Sequence, residues 1–150
     1  MKVIYAPEAL EFKSKTIFLA GSIEQNQASH WQEEIIEKLK QYNYIVFNPR
    51  RKDWDATWKQ QIEDSNFKQQ VDWELDALER ADIILMYFDP KTKSPISLLE
   101  LGLFARSGKL LVCCPEGFWR KGNVDIVCQR YGIKQFQNLK KVTRHIVEKY

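Results

Sequence analysis

The sequence predicts an α/β fold, in which a mostly parallel sheet of about five strands lies between two layers of helices. Three observations predict it. Short runs rich in β-branched and aromatic residues are apolar throughout, without the alternation of a sheet that has one wet face. Between them lie stretches whose apolar residues recur at helical spacing. The two kinds of segment alternate along the chain, the pattern of parallel strands joined by crossover helices.

The elements follow in order. Lys15–Ala20 reads as a buried strand that ends at Gly21-Ser22, a tight loop. From Ala28 to Tyr42, Trp31, Ile35, Ile36 and Leu39 share a helical face, and Asn43 stops that helix. Tyr44–Phe47 is a second strand, closed by Asn48-Pro49-Arg50-Arg51. Residues 52–63, with Trp54 and Trp58 among charges, read as an irregular excursion or a short helix over the site. Ser65–Arg80 is a longer helix with Phe67, Val71, Leu75 and Leu78 on one stripe. Asp82–Phe88 is a third strand, and Asp89–Lys93 leads into a helix that Ser94 caps, Pro95 opens and Gly108 ends. Lys109–Cys114 is a fourth strand, followed by a loop, Pro115–Gly122, of aromatic and basic residues. Asn123 caps a helix through Tyr131, Ile133–Phe136 is a last short strand, and Asn138 caps an amphipathic C-terminal helix. The whole, residues 1–150, is expected to be a single domain of flavodoxin-like or Rossmann-like type, a three-layer sandwich. Loops after parallel strands share one edge of the sheet, where the sites of such folds lie.

Composition bounds the function. An apolar fraction of 44% and a charged fraction of 29% fit an ordinary soluble globular chain. A net charge of +3, with no long basic block, gives no footing for a nucleic-acid partner. No apolar run is long enough to span a membrane and the N-terminus is no signal peptide, so a cytoplasmic protein is expected. Three cysteines and two histidines offer neither a disulfide framework nor metal-ligand spacing.

Glu100 is the first candidate for chemistry. Its helical neighbours three and four residues away are Ile96, Ser97, Leu103 and Phe104, and an ionised carboxylate among them is costly unless paired. The helix is apolar nearly all round, which predicts burial between other elements. A structural glutamate, salt-bridged or reaching solvent past the helix end, and a functional carboxylate both fit. On the 65–80 helix, at about 100° per residue, Glu74 falls among the apolar positions while Asp72 and Asp76 point away. Asp82, just before its strand, fits a turn or cap. Gly21-Ser22 could offer backbone donors and a hydroxyl to a phosphate or sugar, or be a plain turn. Arg50 and Arg51 could grip an anion or only solubilise a loop. Phe118 and Trp119 suit stacking on a base, another subunit or the core.

The segments Phe18-Leu19-Ala20-Gly21-Ser22-Ile23, Trp73-Glu74-Leu75 leading to Ala81-Asp82, and Leu99-Glu100-Leu101-Gly102 resemble the nucleoside 2-deoxyribosyltransferase-like family, to which 2'-deoxynucleoside 5'-phosphate N-hydrolases are related. The resemblance runs from about residue 15 to residue 132. It implies that Glu100 attacks the anomeric carbon of a nucleoside and that no cofactor or metal is used. It also implies an acid eight residues before the Ala-Asp aspartate, acting on the base or the nucleophile. That position is Glu74, where the family usually has aspartate; the extra methylene leaves Asp72 as an alternative. Ser94, six residues before the nucleophile, matches a contact to the 5'-hydroxyl or phosphate, and Ser97, Gly21, Ser22 and Ile23 are expected with it among the substrate-binding residues. Asn123 matches an asparagine that reaches a neighbouring subunit's pocket, so a homo-oligomer, a dimer or larger, is implied.

Cleavage of a C–N glycosidic bond passes through an oxocarbenium-like state, which a carboxylate can stabilise or trap covalently while a second group helps the base depart. Two such displacements retain configuration. Water as final acceptor makes a hydrolase and a second base makes a transferase. Alternatives are an NAD-cleaving glycosidase, told apart by nicotinamide release, and a non-catalytic nucleotide-binding or receiver-like module. In the last, Asp89 would be the phospho-acceptor, but Ala20-Gly21-Ser22 supplies no acidic pocket. Arg50, Arg51, Gly21-Ser22 and Ser94 on one edge favour a nucleoside 5'-monophosphate and hydrolysis.

Overall fold

The apolar runs satisfy their backbone groups by pairing with one another, and in the computed structural model, which describes residues 1–23 and 29–150, they form a six-stranded, all-parallel sheet. Its strands are β1 (Lys2–Tyr5), β2 (Lys15–Gly21), β3 (Tyr44–Asn48), β4 (Ile83–Tyr87), β5 (Leu110–Cys113) and β6 (Lys134–Phe136), in the order β1-β3-β2-β4-β5-β6. The helices are α1 (Trp31–Leu39), α2 (Ser65–Arg80), α3 (Pro95–Phe104), α4 (Lys121–Tyr131) and α5 (Leu139–Lys149). The five strands from β2 onward have the flavodoxin-like order, and β1 extends the sheet beyond β3.

Alternate side chains of each strand enter opposite layers. Phe18, Ala20, Ile84, Met86 and Val112 pack with Trp73 and Ala77 of α2, Leu101 of α3, and Val124 and Cys128 of α4. Ile17, Leu19, Leu85 and Leu111 pack with Trp31 and Ile35 of α1 and Val142 and Ile146 of α5. The result is a three-layer sandwich with α2, α3 and α4 on one face. β2 lies between β3 and β4, so the chain leaves it towards one side of the sheet and later builds outward on the other. The connections after β2 and β4 diverge there, at the carboxyl ends of those two strands, where the sites of such folds lie.

Several expectations change. The sheet has six strands, not about five: Lys2–Tyr5 pairs with β3 at the edge. The start of the first helix at Ala28 lies outside the described residues. Residues 52–63 hold turns and no helix. The inward face of α2 is Gln70, Trp73, Ala77 and Leu78, while Val71 and Leu75 are half-buried, because Trp73 rather than the aliphatic stripe takes the space beside Phe18 and Phe47. Asn123 is no cap, since α4 starts two residues earlier at Lys121. Asn138 does cap α5, accepting from the Lys141 amide at 2.9 Å. Asp82 is structural: its Oδ2 accepts from the Thr16 amide and hydroxyl, both at 2.8 Å, tying β4 to β2.

Candidate active site

Proline at the first position of α3 fixes the helical start, and Ser94 before it takes the left-handed conformation, φ 48° and ψ 53°. Its side chain does not cap the helix as expected, because it is drawn into a buried triangle of hydroxyls. Ser22 Oγ lies 2.6 Å from Ser94 Oγ and 2.8 Å from Thr92 Oγ1, and Thr92 and Ser94 are 2.7 Å apart. Thr92 Oγ1 also donates to the Asp89 carbonyl at 3.0 Å, so the three hydroxyl protons are shared between the triangle and the neighbouring backbone. The Asp89 amide donates to Ser22 Oγ at 2.8 Å, so the loop after β2 and the loop into α3 are knotted together. A left-handed non-glycine residue costs on the order of 1–3 kcal/mol, which this network offsets.

Gly21 allows that approach. Its φ is +134°, and a Cβ there would stand 2.1 Å from the Tyr87 carbonyl oxygen, the group that accepts the Ser22 amide at 3.0 Å. Only glycine fits. The Gly-Ser turn is therefore the junction at which the end of β2 is held against β4, and Ile23 follows it half-buried.

Held this way, α3 turns Ser97, Glu100 and Leu101 inward. Glu100 is 8% exposed and has no ion pair among the described residues. Burial, and then the charge of Glu74, push its carboxyl up to about 8. Of the apolar neighbours, Ile96, Leu99 and Leu103 instead point outward, each about 60% exposed. The expectation that α3 is buried all round therefore fails within one chain.

Glu74 reaches the same place from α2. Asp64 caps that helix, accepting from the Asn66 and Phe67 amides. Gln70, one turn before Glu74, is 5% exposed; its Nε2 donates to Glu74 Oε1 at 2.8 Å and to the Pro49 carbonyl at 2.9 Å. Burial pushes Glu74 up to about 7, against the pull of the Gln70 amide. Two carboxyls that burial disfavours as anions, one feeling the charge of the other, titrate as a pair and hold one proton between them near neutral pH. Asp72 faces solvent and pairs with Lys68 on the same helix, as the angular bookkeeping predicted.

The arginines separate. Arg51 pairs with Asp53 at 2.8 Å and 3.2 Å and lies 4.7 Å from the centre of the Trp58 ring, while its Nη1 is buried without a hydrogen-bond partner among the described residues. Arg50 is held through Nε on Gln32 Oε1 of α1 at 3.1 Å, with its amide on Asn48 Oδ1. Phe118 is core, 4.9 Å from Phe88, whereas Trp119 is exposed and donates to the Lys93 carbonyl. Asn123 is exposed on the first turn of α4. Asp89, 4% exposed, accepts from the Ser29 amide and hydroxyl and from the Lys91 amide, a knot that organises the loop and fits no phospho-acceptor. An open cavity of about 560 Å³ lies at the β5–β6 edge among Cys114, Lys121, Asp125 and Gln135, away from the two glutamates. Among the described residues no cluster of His, Cys, Asp or Glu could hold a metal ion. Gln70 and Thr92 were not anticipated. The i,i+4 spacing of Gln70 and Glu74 was the available signal for the first; nothing local marks the second.

A search of the curated proteins found no match. A family model described as nucleoside 2-deoxyribosyltransferase like matches residues 14–118, which span Gly21, Glu74 and Glu100 and stop short of Asn123. That match covers well over half of the chain, and the three-layer parallel fold agrees with it: the chain belongs to the nucleoside 2-deoxyribosyltransferase-like family.

Proposed function

We propose that this protein cleaves the N-glycosidic bond of a (deoxy)nucleoside or nucleoside 5'-monophosphate, with Glu100 as nucleophile, and passes the sugar to water or to another base. The observation that carries the reading is the pair of carboxyls, buried Glu100 and half-buried Glu74, contributed by two helices and without an ion pair among the described residues. In the reactive arrangement the shared proton is on Glu74 and Glu100 is the anion. Glu100 attacks the anomeric carbon as the C–N bond breaks, its electron pair leaves with the base, and the Glu74 proton follows it. Positive charge growing on the sugar favours the ionised form of Glu100, so the transition state moves the proton to the side where it is needed. Water or a second base then displaces Glu100, giving its proton to Glu74 and completing a retaining double displacement.

Phosphate recognition rests on Arg50, since Arg51 is occupied by Asp53 and Trp58. We favour a 5'-monophosphate, and hydrolysis over base exchange, on that guanidinium; the Ser22 amide and hydroxyl are already engaged by the Tyr87 carbonyl and the hydroxyl triangle. The three buried, unpaired cysteines Cys113, Cys114 and Cys128 suit a reducing cytoplasm.

The active unit is a homo-oligomer, at least a dimer, joined through α3. Ile96, Leu99 and Leu103 form an exposed stripe at helical spacing. Gly102 lies within it, and a Cβ there would meet nothing within 4 Å. Glycine inside a helix costs about 1 kcal/mol relative to alanine. Among the described residues nothing requires it, whereas close backbone approach of a second α3 would.

The test is chromatography of the products from a panel of nucleosides and monophosphates, with and without a free acceptor base. Base release from a deoxynucleoside monophosphate without acceptor is expected. No base release from any member, with nicotinamide freed from NAD, would replace this reading by that of an NAD-cleaving glycosidase.

A further inference from the structure

The least comfortable side chain near the two glutamates is Gln70. Its amide cannot be turned over, because the Pro49 carbonyl has only lone pairs to offer and must face the NH₂ end. Both hydrogens of that NH₂ are in use, one on Pro49 O at 2.9 Å and one on Glu74 Oε1 at 2.8 Å. The other end is then stranded: Gln70 Oε1 is buried without a hydrogen-bond partner among the described residues. Leaving a buried acceptor unmade is costly, and an apolar residue of the same shape would avoid the loss. On α2 that position otherwise belongs to the core, beside Trp73 and Ala77.

We propose that Gln70 is a positioning residue that clamps Oε1 of Glu74, fixes its rotamer against the strand-end loop at Pro49, and directs the transferable proton to Oε2. This rests on the reading of Glu74 as the acid that assists the base. A carboxyl oxygen that accepts an amide N–H is the carbonyl-like one, so the proton sits on the other oxygen. The clamp also ties α2 to the residue preceding Arg50, so the acid and the candidate anion-binding loop move as one piece. The charged groups around Glu74 are few. From α3 it faces Glu100; from the segment after β3 it meets the Pro49 carbonyl, with the Arg50 guanidinium turned onto Gln32. On α2 itself Gln70 is the neighbour that favours its anion.

The test uses Gln70→Met, which removes both donors and the stranded acceptor while keeping length, with Gln70→Leu as the second variant should the first fold poorly. The Glu74 carboxyl is followed by ¹³C NMR across pH in wild type and variant, a readout independent of any activity. Loss of the donor should move the Glu74 midpoint up by about one pH unit, with melting temperature unchanged or raised. On any substrate that the wild type cleaves, kcat should fall roughly tenfold with KM little altered, and the alkaline limb of the pH profile, set by loss of the Glu74 proton, should move with the NMR midpoint. A Glu74 midpoint that stays in place in the folded variant overturns the proposal, as does a fall in melting temperature with an unchanged pH profile. If the wild type cleaves nothing, the functional reading fails by itself, and the NMR midpoints still decide whether the clamp exists.

Discussion

In the proposed reaction, the roles of Glu100 and Glu74 come from where their carboxyls are placed. Both midpoints are raised by burial, to about 8 and about 7, so the protein stabilises their protonated forms relative to the unfolded chain. The contribution of the pair to stability is therefore full below the ordinary carboxyl value near 4.5, declines as pH rises, and is gone above about 8. Glu100→Gln should flatten that decline. Denaturant unfolding should find it more stable than wild type above about 8 and similar near 4.5; parallel curves at all pH values would show that Glu100 is not buried as described. Activity follows the same pair. Below about 7 both acids become protonated and the nucleophile is lost; above about 8 both ionise and the acid is lost, so kcat/KM should be a narrow bell between them. For the helper, Glu74→Gln should cost far more than Asp72→Asn, whose side chain pairs with Lys68 at the surface. The reverse order in steady-state kinetics would move the acid to Asp72.

At the scale of elements, two junctions aim the site. The first is the Gly21–Tyr87 approach. Gly21→Ala puts a methyl 2.1 Å from a carbonyl oxygen and should lower unfolding free energy by roughly 2–4 kcal/mol, read from urea melts. A loss below about 0.5 kcal/mol, the range of ordinary surface substitutions, would mean that the β2–β4 junction is looser than it is drawn. The second is the Ser22–Thr92–Ser94 triangle that sets the direction of α3. These junctions also mark what the sequence revealed. Ile17–Ala20 and Ile83–Tyr87 announce buried strands, because apolar runs with no alternation have few other uses. Glu74 could be separated from Asp72 by angle alone. β1 was missed because Lys2–Tyr5 is a short edge strand with mixed polarity. The Ser94 cap was misread because a Ser-Pro pair carries no information about a hydroxyl triangle whose members are up to 72 residues apart in sequence. Gln70 was passed over, despite its i,i+4 spacing to Glu74, because a glutamine beside an apolar stripe looks like the stripe's polar border.

For the whole molecule, the exposed apolar stripe on α3 and the composite-site reading of Asn123 make one prediction. Leu99→Lys should turn a dimer into a monomer by sedimentation, since a charge in the centre of an apolar contact is left unpaired. Mixing Glu100→Ala with Asn123→Ala protein should recover part of the activity, because a hybrid contains one intact site. A monomeric wild type, with no rescue on mixing, would place the complete site within one chain.

The claim on which the rest depends is that Glu100 carries the sugar. Peptide mass spectrometry of protein quenched during turnover of a deoxynucleoside monophosphate reads this directly. A deoxyribosyl adduct on Glu100, absent from folded Glu100→Ala protein whose turnover has fallen by several orders of magnitude, is the predicted result. Turnover with no adduct on Glu100, together with near-normal activity of Glu100→Ala, would contradict it.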